Sequence, residues 1–294
     1  MALEKPTTRF RALLARKKIT LLPGVGDPFT ARLVAAEGYE ALMSSGNASA
    51  AMHLGLPDVG LMTLAENAEN AGRIAAASGL PVFADADTGY GPAINVRRTI
   101  MEFERAGVAA VMLEDQVTPK RCGMMAGKQV ISTSEMKMKI KSALDARRDD
   151  DLVIVARTDA RAVEGLDAAI RRAEAYQRAG ADAIFVEGPK TEEEAAEIAR
   201  RIDAPMLYNI TPTGSVAPLP VEKLEQLGYK MLSTSVYAVL AAIPGLRHFL
   251  RTLKQTGDVA KAGSAVASMA EYYEILKLKD WQAAEENYTS SSEN

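Results

Sequence analysis

The sequence predicts an α/β protein of the (β/α)8 barrel type, a TIM-like barrel with extra helices at its C-terminus. Eight short apolar runs recur along the chain, and amphipathic helical stretches alternate with them at spacings of roughly 20–40 residues. A repeated phrase supports the same reading. EGYEALMSSG (37–46), RAGVAAVMLED (105–115) and RAGADAIFVEG (178–188) each close a helix on glycine and then start an apolar run. Glycine suits the left-handed turn that ends a helix, and the runs have the length and branching of buried parallel strands. An open, doubly wound sheet is the alternative arrangement of the same units.

Taken in order, ITLLPG (19–24) is the first strand and EGYEALMSSG supplies the second. The helical stretch LAENAENAGRIAAASG leads to the third, LPVFADADTG (80–89). RAGVAAVMLED gives the fourth, and LVIVARTDA (152–160) the fifth. The amphipathic stretch LDAAIRRAEAYQRAG precedes the sixth, in RAGADAIFVEG. APMLYNIT (204–211) and YKMLSTS (229–235) complete the set. No Pro/Gly/Ser-rich linker divides the chain, so residues 1–294 read as one barrel domain with 258–294 as a helical extension. Within that extension Met269, Tyr272, Ile275 and Leu276 recur at helical spacing, and the terminal SSSEN is expected to fray.

Composition narrows the function. Of 294 residues 48% are hydrophobic and 25% charged, which allows a sizeable core. A formal net charge of −3 supplies no basic field for nucleic acid or an anionic membrane. No apolar run approaches the ~18 residues that span a bilayer. The opening MALEKPTTRFRALLARKK lacks the apolar core of a secretory signal; its Arg and Lys content resembles a transit peptide, against which Glu4 and the lack of Ser count. The single cysteine cannot form an internal disulfide, which points to a reducing, cytoplasmic setting. With only His53 and His248, a His-rich metal site or a Ser-His-Asp triad is disfavoured.

In a barrel the active site forms where strands end. Those ends read Ser44-Ser45-Gly46-Asn47, Asp85-Ala86-Asp87, Glu114-Asp115, Arg157-Thr158-Asp159, Glu187 and Asn209. Any one of these residues could merely cap a helix or face water. Together they converge on one opening, and acids outnumber Arg157 there. Asp85 and Asp87 point to the same side of an extended chain. Carboxylates crowded in a partly dry mouth repel unless a cation lies among them. Oxygen ligation without histidine suits Mg2+ or Mn2+ rather than zinc.

The cysteine lies in LEDQVTPKRCGMMAGK (113–128). Lys120, Arg121 and Lys128 are expected to lower the thiol's pKa, and Gly123 and Gly127 to let the loop flex over a site. Such a thiol could give or take a proton, or attack as a nucleophile; a small buried packing residue is the plain alternative.

The combination of GLPDVG (55–60), DADTGYG (85–91), LEDQVTPKRCG (113–123), Gly127-Lys128, ARTDAR (156–161), GADAIFVEG (180–188) and Asn209 resembles the isocitrate lyase / phosphoenolpyruvate mutase superfamily over most of the chain. Its small lyases of methylisocitrate and dimethylmalate, its oxaloacetate hydrolases and its carboxyphosphonoenolpyruvate phosphonomutases are the most similar in pattern. The resemblance implies Mg2+-dependent barrels that swap a C-terminal helix between subunits and form homotetramers, dimers of helix-swapped dimers. It implies that Asp85 and Asp87 hold Mg2+ directly or through water, with Asp58 and Glu114 around them. Ser45, Gly46 and Asn47 would bind a substrate carboxylate, Arg157 would anchor another, and Gly123, Glu187 and Asn209 would complete the pocket. Cys122 would protonate the carbanion-like fragment left by C–C cleavage, under a loop (117–131) that closes over it. The implied activity is a lyase that splits a small substituted malate-like 2-hydroxy dicarboxylate into a 2-oxo acid and a carboxylate. Oxaloacetate hydrolysis, a phosphonomutase and a non-catalytic binding barrel are the alternatives.

The chain also departs from that pattern. Met124 stands where the lyase loop carries His, and Asn209-Ile210-Thr211-Pro212-Thr213-Gly214 lacks the usual pocket carboxylate. TSVYAVLAA (234–242) lacks the arginine of methylisocitrate lyases. These departures point away from a tricarboxylate substrate.

Overall fold

The computed structural model describes residues 4–213 and 219–289, so Gly214 and the terminal 290–294 lie outside the described residues. Nine parallel strands form one sheet: β1 (Thr20–Leu22), β2 (Gly24–Val25), β3 (Leu42–Ser44), β4 (Val82–Asp85), β5 (Ala110–Glu114), β6 (Val153–Thr158), β7 (Ala183–Val186), β8 (Met206–Asn209) and β9 (Met231–Ser233). Their order is β1-β9-β8-β7-β6-β5-β4-β3-β2. The two edge strands of that order, β1 and β2, are one stretch of chain interrupted at Pro23. Proline has no N–H for the ladder. The segment therefore pairs with β9 before Pro23 (Thr20↔Met231) and with β3 after it (Gly24↔Met43). The eight runs read from the sequence thus become nine strands of a nearly closed (β/α)8-type barrel, with the first run split by its proline.

The helices between strands begin and end where the local chemistry directs. Leu64–Ser78 starts in a capping box between Thr63 and Glu66. Asp27 accepts from the N–H groups of Phe29 and Thr30 ahead of Pro28–Ala36. The repeated phrase behaves as its glycines suggest: Gly38, Gly107 and Gly180 all have positive φ, at 78°, 78° and 101°.

Strand alternation separates two cores. Outward residues such as Leu42, Val111, Leu113, Ile154, Ile184 and Tyr208 pack beneath the surrounding helices. Inward residues, among them Met43, Phe83, Met112, Val155, Phe185, Leu207 and Met231, fill the barrel. Helix Pro6–Ala15 adds Phe10, Leu13 and Leu14 to that interior, with Phe10 and Phe83 ring centroids 6.3 Å apart. The basic N-terminal stretch therefore contributes to the barrel core.

By compactness the chain divides into residues 1–239, the barrel, and 240–294. The second unit contains most of helix Tyr237–Thr256, a 3-10 turn Val259–Ala265, and helices Met269–Ile275 and Leu278–Thr289. Among the described residues no helix is long and apolar enough to cross a membrane.

Candidate active site

Side chains two residues apart on a strand face the same way. The inward apolar residues are therefore followed, at the C-terminal mouth, by inward polar ones: Met43 by Ser45, Phe83 by Asp85, Met112 by Glu114, Val155 by Arg157, Phe185 by Glu187, Leu207 by Asn209 and Met231 by Ser233. Register aligns them across strands. Glu114 lies opposite Arg157, Arg157 opposite Phe185, and Asn209 opposite Ser233. One pocket is lined by Ser45, Asn47, Asp58, Asp85, Cys122, Gly123, Arg157, Glu187 and Asn209. It also takes in Met43, Met112, Met124, Phe185, Ser233 and Ser235, and its cavity of about 30 Å³ has room for a water or two. A dicarboxylate needs more, so entry requires the covering loop to move.

On one side stand the acids. Gly46 donates its N–H to Asp85 Oδ2 at 3.4 Å, and Asp87 donates its own to Asp85 Oδ1 at 3.1 Å. A Cβ at Gly46 would lie 2.9 Å from Asp85 Oδ2, so that close approach requires glycine. Ser45 caps the short helix Gly46–Ser49 through Ala48 N–H. Asp87 adopts φ 49° and is buried. The Lys120 ammonium donates to Asp58 and lies 2.7 Å from Asp87 Oδ1, out of hydrogen-bond alignment with the latter. Burial disfavours the Lys120 charge, but Asp87, Glu114, Asp58 and Asp85 outweigh that and hold it well above the ordinary lysine range. Burial likewise raises Asp87 to about 6 against the pull of Lys120, with Asp85 and Asp58 adding to the rise. Burial pushes Glu114 well up despite Arg157.

Opposite them lies Arg157, which carries more acids than one guanidinium can satisfy. It donates to both oxygens of Asp159 (2.8 and 3.0 Å) and reaches Glu114 at 3.4 Å and Glu187 at 3.5 Å. The Phe185 ring lies beneath it, 5.4 Å from the guanidinium carbon to the centroid. Burial also raises Glu187 against the pull of Arg157.

Cys122 is buried at 7% exposure, with its N–H donated to Asp58 O at 3.1 Å and its sulfur accepting from Asn47 Nδ2 at 3.3 Å. Its pKa departs from the expectation. The thiol is raised, first by burial and further by Asp58, against the backbone bond to Met124 and the Asn47 contact. The basic neighbours are engaged elsewhere: Lys120 on Asp58 and Asp87, Arg121 on Ala126 O, and Lys128 on Asp159 and Gly123 O. Nearness along the chain did not place an ammonium beside the sulfur.

The structure thus brings Ser45, Gly46, Asn47, Asp58, Asp85, Asp87, Glu114, Cys122, Gly123, Arg157, Glu187 and Asn209 to one mouth. Asp115, also at a strand end, turns outward. It accepts from Thr158 Oγ1 and Tyr176 OH (2.7 Å each), from Asp159 N–H (2.9 Å) and from Arg172 (3.4 Å). The sequence did not assign Lys120, Lys128 or Asp159 to the site. The signal for Asp159 was present, two residues beyond Arg157 on the same face; the loop lysines stand in LEDQVTPKRCG and Gly127-Lys128, but nothing in the sequence names their partners.

Among the described residues no three His, Cys, Asp or Glu side chains are grouped as ligands, and the Lys120 ammonium lies between Asp58 and Asp87. The donors nonetheless fit a hard divalent cation. Glu114 Oε1 and Asp87 Oδ1 are buried carboxylate oxygens without a hydrogen bond, and the pocket offers oxygen donors and no histidine.

Fold and site together define an α/β-barrel enzyme whose polar site lies at the C-terminal mouth. The phosphoenolpyruvate phosphomutase family model matches residues 10–254. The chain is 40% identical over 282 residues to 2,3-dimethylmalate lyase of Eubacterium barkeri, covering 96% of this chain and 98% of that one. It is 40% identical over 291 residues to 2-methylisocitrate lyase of Aeropyrum pernix, covering 99% and 94%. A structure of oxaloacetate acetylhydrolase with the inhibitor 3,3-difluorooxalacetate superposes with a TM-score of 0.92 at 31% identity, covering 97% of each chain. The chain belongs to the isocitrate lyase / phosphoenolpyruvate mutase superfamily and is a carbon–carbon lyase of that superfamily.

Proposed function

We propose that the chain is a Mg2+-dependent lyase that cleaves a small substituted malate-like 2-hydroxy dicarboxylate to a 2-oxo acid and a carboxylate, with Cys122 as the proton donor. One observation carries this reading. A thiol that burial keeps protonated is held by Asn47 over a mouth with carboxylate oxygens that lack a hydrogen bond on one side and Arg157 on the other.

Asp85 and Asp87 would hold the cation, with Asp58 and Glu114 beside them; bound there, it supplies Lewis-acid stabilisation of charge on the substrate's oxygens. Arg157 takes a substrate carboxylate, and N–H donors around Ser45, Gly46 and Asn47 take the other. The substrate hydroxyl gives its proton to a carboxylate of the mouth as its C=O forms; the C–C bond breaks, its electron pair leaves on the carboxylate fragment, and the Cys122 S–H protonates that fragment. A protonated resting thiol suits an acid and not a nucleophile. The closed loop keeps bulk water from supplying that proton instead. Arg157, Lys120 and Lys128 are engaged with acids of the site, and the other polar lining residues, Asn209, Ser233 and Ser235, are neutral. That favours two carboxylates over three.

The similarity to oxaloacetate acetylhydrolase supports hydrolysis of oxaloacetate as the second reading. A screen of 2-hydroxy and 2-oxo dicarboxylates with Mg2+, detecting pyruvate, glyoxylate and oxalate, separates the two. Cys122→Ser should lower kcat by roughly 10²–10⁴, the usual worth of a positioned acid, while metal and substrate binding stay within a few-fold. Wild-type kcat in a folded Cys122→Ser protein would remove this mechanism and promote a phosphonomutase.

We further propose assembly as a homotetramer through the C-terminal helices. In residues 240–294, Leu246, Leu250, Met269 and Trp281 are 60%, 59%, 59% and 70% exposed. Apolar surface of that extent favours burial against another subunit. A cytoplasmic setting accords with the single free cysteine.

A further inference from the structure

The loop that carries Cys122 is fastened to the barrel at two buried points. Lys120 holds the first, on Asp58 and Asp87. Lys128 holds the second: its side chain is 4% exposed, and its ammonium lies 3.1 Å from Asp159 Oδ1 and donates to the Gly123 carbonyl, next to the thiol residue.

Asp159 is suited to receive it. The residue is fully buried, both its oxygens accept from Arg157, and its backbone N–H is fixed by Asp115 Oδ1 at 2.9 Å. Asp115 is itself braced by Thr158, Tyr176 and Arg172. Arg172 also donates to Ile131 O at 2.7 Å, at the far end of the loop, and Ile131 N–H returns to Asp115 O at 2.8 Å. Asp159 is therefore a fixed post on the barrel. The Lys120 fastening uses carboxylates that a cation would also claim. The Lys128 fastening does not touch them, so it persists whether or not the cation is bound.

We infer that Lys128 is a positioning residue: its bridge from Gly123 O to Asp159 is the latch that keeps the 117–131 loop shut with Cys122 in the mouth. The latch rests on the proposed role of Cys122 only for its effect on turnover. Its effect on the loop is independent of any activity.

Cys122 is the chain's only thiol, so alkylation reports one site. In full-length Lys128→Met protein without metal or substrate, iodoacetamide should modify Cys122 at least tenfold faster than in the wild type. Removing a positive charge by itself disfavours the thiolate and slows alkylation, so a rise can come only from exposure. Hydrogen exchange should increase in 117–131 and not in the barrel strands, and Lys128→Arg, which keeps both contacts within reach, should restore most of the protection. In turnover kcat should fall at least tenfold with KM changed much less. Unchanged or slower alkylation would overturn the latch. Exchange rising throughout the barrel would also overturn it, by making Lys128 a general prop of the fold. Faster alkylation with wild-type kcat would leave the latch standing and remove Cys122 from the chemistry.

Discussion

Gly123 is where the closed loop touches the substrate-anchoring side of the mouth, and a single methyl group there tests the closure. An alanine Cβ would lie 2.5 Å from Arg157 Nη2 and 2.9 Å from the Glu187 carboxyl carbon and Oε2. A relaxed contact between such atoms is about 3.5 Å, so one partner must give way by roughly 1 Å. Arg157 is poorly placed to yield, being held by Asp159 through two bonds and flanked by Glu114 and Glu187 over the Phe185 ring. The loop is the softer partner and retreats, taking Cys122 with it. A displacement of about 1 Å at a reacting group costs on the order of 10² in rate, or about 2.7 kcal/mol of barrel-mouth alignment in the transition state.

Gly123→Ala should therefore lower kcat by about 10² at saturating substrate and leave the melting temperature nearly unchanged, because Gly123 has no left-handed φ that alanine would strain. Initial-rate kinetics with thermal denaturation read both quantities. If Arg157 were displaced instead of the loop, KM would rise at constant kcat. Wild-type kcat and KM together would mean that turnover never uses this closed position, and the reasoning from the loop geometry would fail.

Asp115→Asn sets amide N–H groups against the donors of Tyr176 and Thr158; since Arg172 keeps Glu164 at 2.7 and 2.8 Å and the buried Asp115 carboxyl is itself raised by burial, the cost is put at about 2 kcal/mol. Urea denaturation measures it, and an unchanged midpoint would show that the network is not holding the β6 end. Chelation should abolish substrate binding as well as turnover, read by calorimetry in the presence of EDTA; binding that survives exhaustive chelation would contradict the role given to the acids. Truncation after residue 257 should convert the tetramer to smaller species by light scattering, whereas a full-length monomer at micromolar concentration would refute the assembly.

Much of the barrel was legible because short continuous apolar runs and helix-closing glycines are local signals, as at Gly107, Gly180 and the run Val111–Leu113. The split of the first strand was less so. Pro23 marks a break, but that its two halves pair with opposite neighbours is a consequence of ring closure, which no local window contains. Glu114 and Asp115 show the same limit at the site. They are adjacent acids, yet one faces the mouth and the other meets Arg172 and Tyr176 under a helix. Strand phase decides between them, and phase follows from the inward Met112, two residues before Glu114. The loop was the least legible part. Its three cations stand close to Cys122 in sequence, but two reach acids on distant strands or loops and the third a carbonyl of its own loop. The thiol is consequently raised where sequence proximity suggested a fall.

The balance of charge at the mouth is what the proposed cation would relieve. Asp58, Asp85, Asp87, Glu114, Asp159 and Glu187 supply six acids, and Lys120, Lys128 and Arg157 supply three cations. Asp159 draws on two of those cations, Lys128 and Arg157, and shares Arg157 with Glu114 and Glu187. In the protein alone, burial answers the excess by raising Asp87, Glu114 and Glu187 toward their protonated forms. A dianionic substrate adds two more negative charges to that field, and Arg157 cannot offset them while Asp159, Glu114 and Glu187 already draw on it. Asp85 and Asp87 would hold the proposed cation, which would offset their charge and compete with the Lys120 ammonium for Asp87. On the proposed function, cation binding is therefore expected before substrate binding. The Lys128 fastening, which touches none of Asp58, Asp85 and Asp87, is the part of the loop that can stay in register during such an exchange.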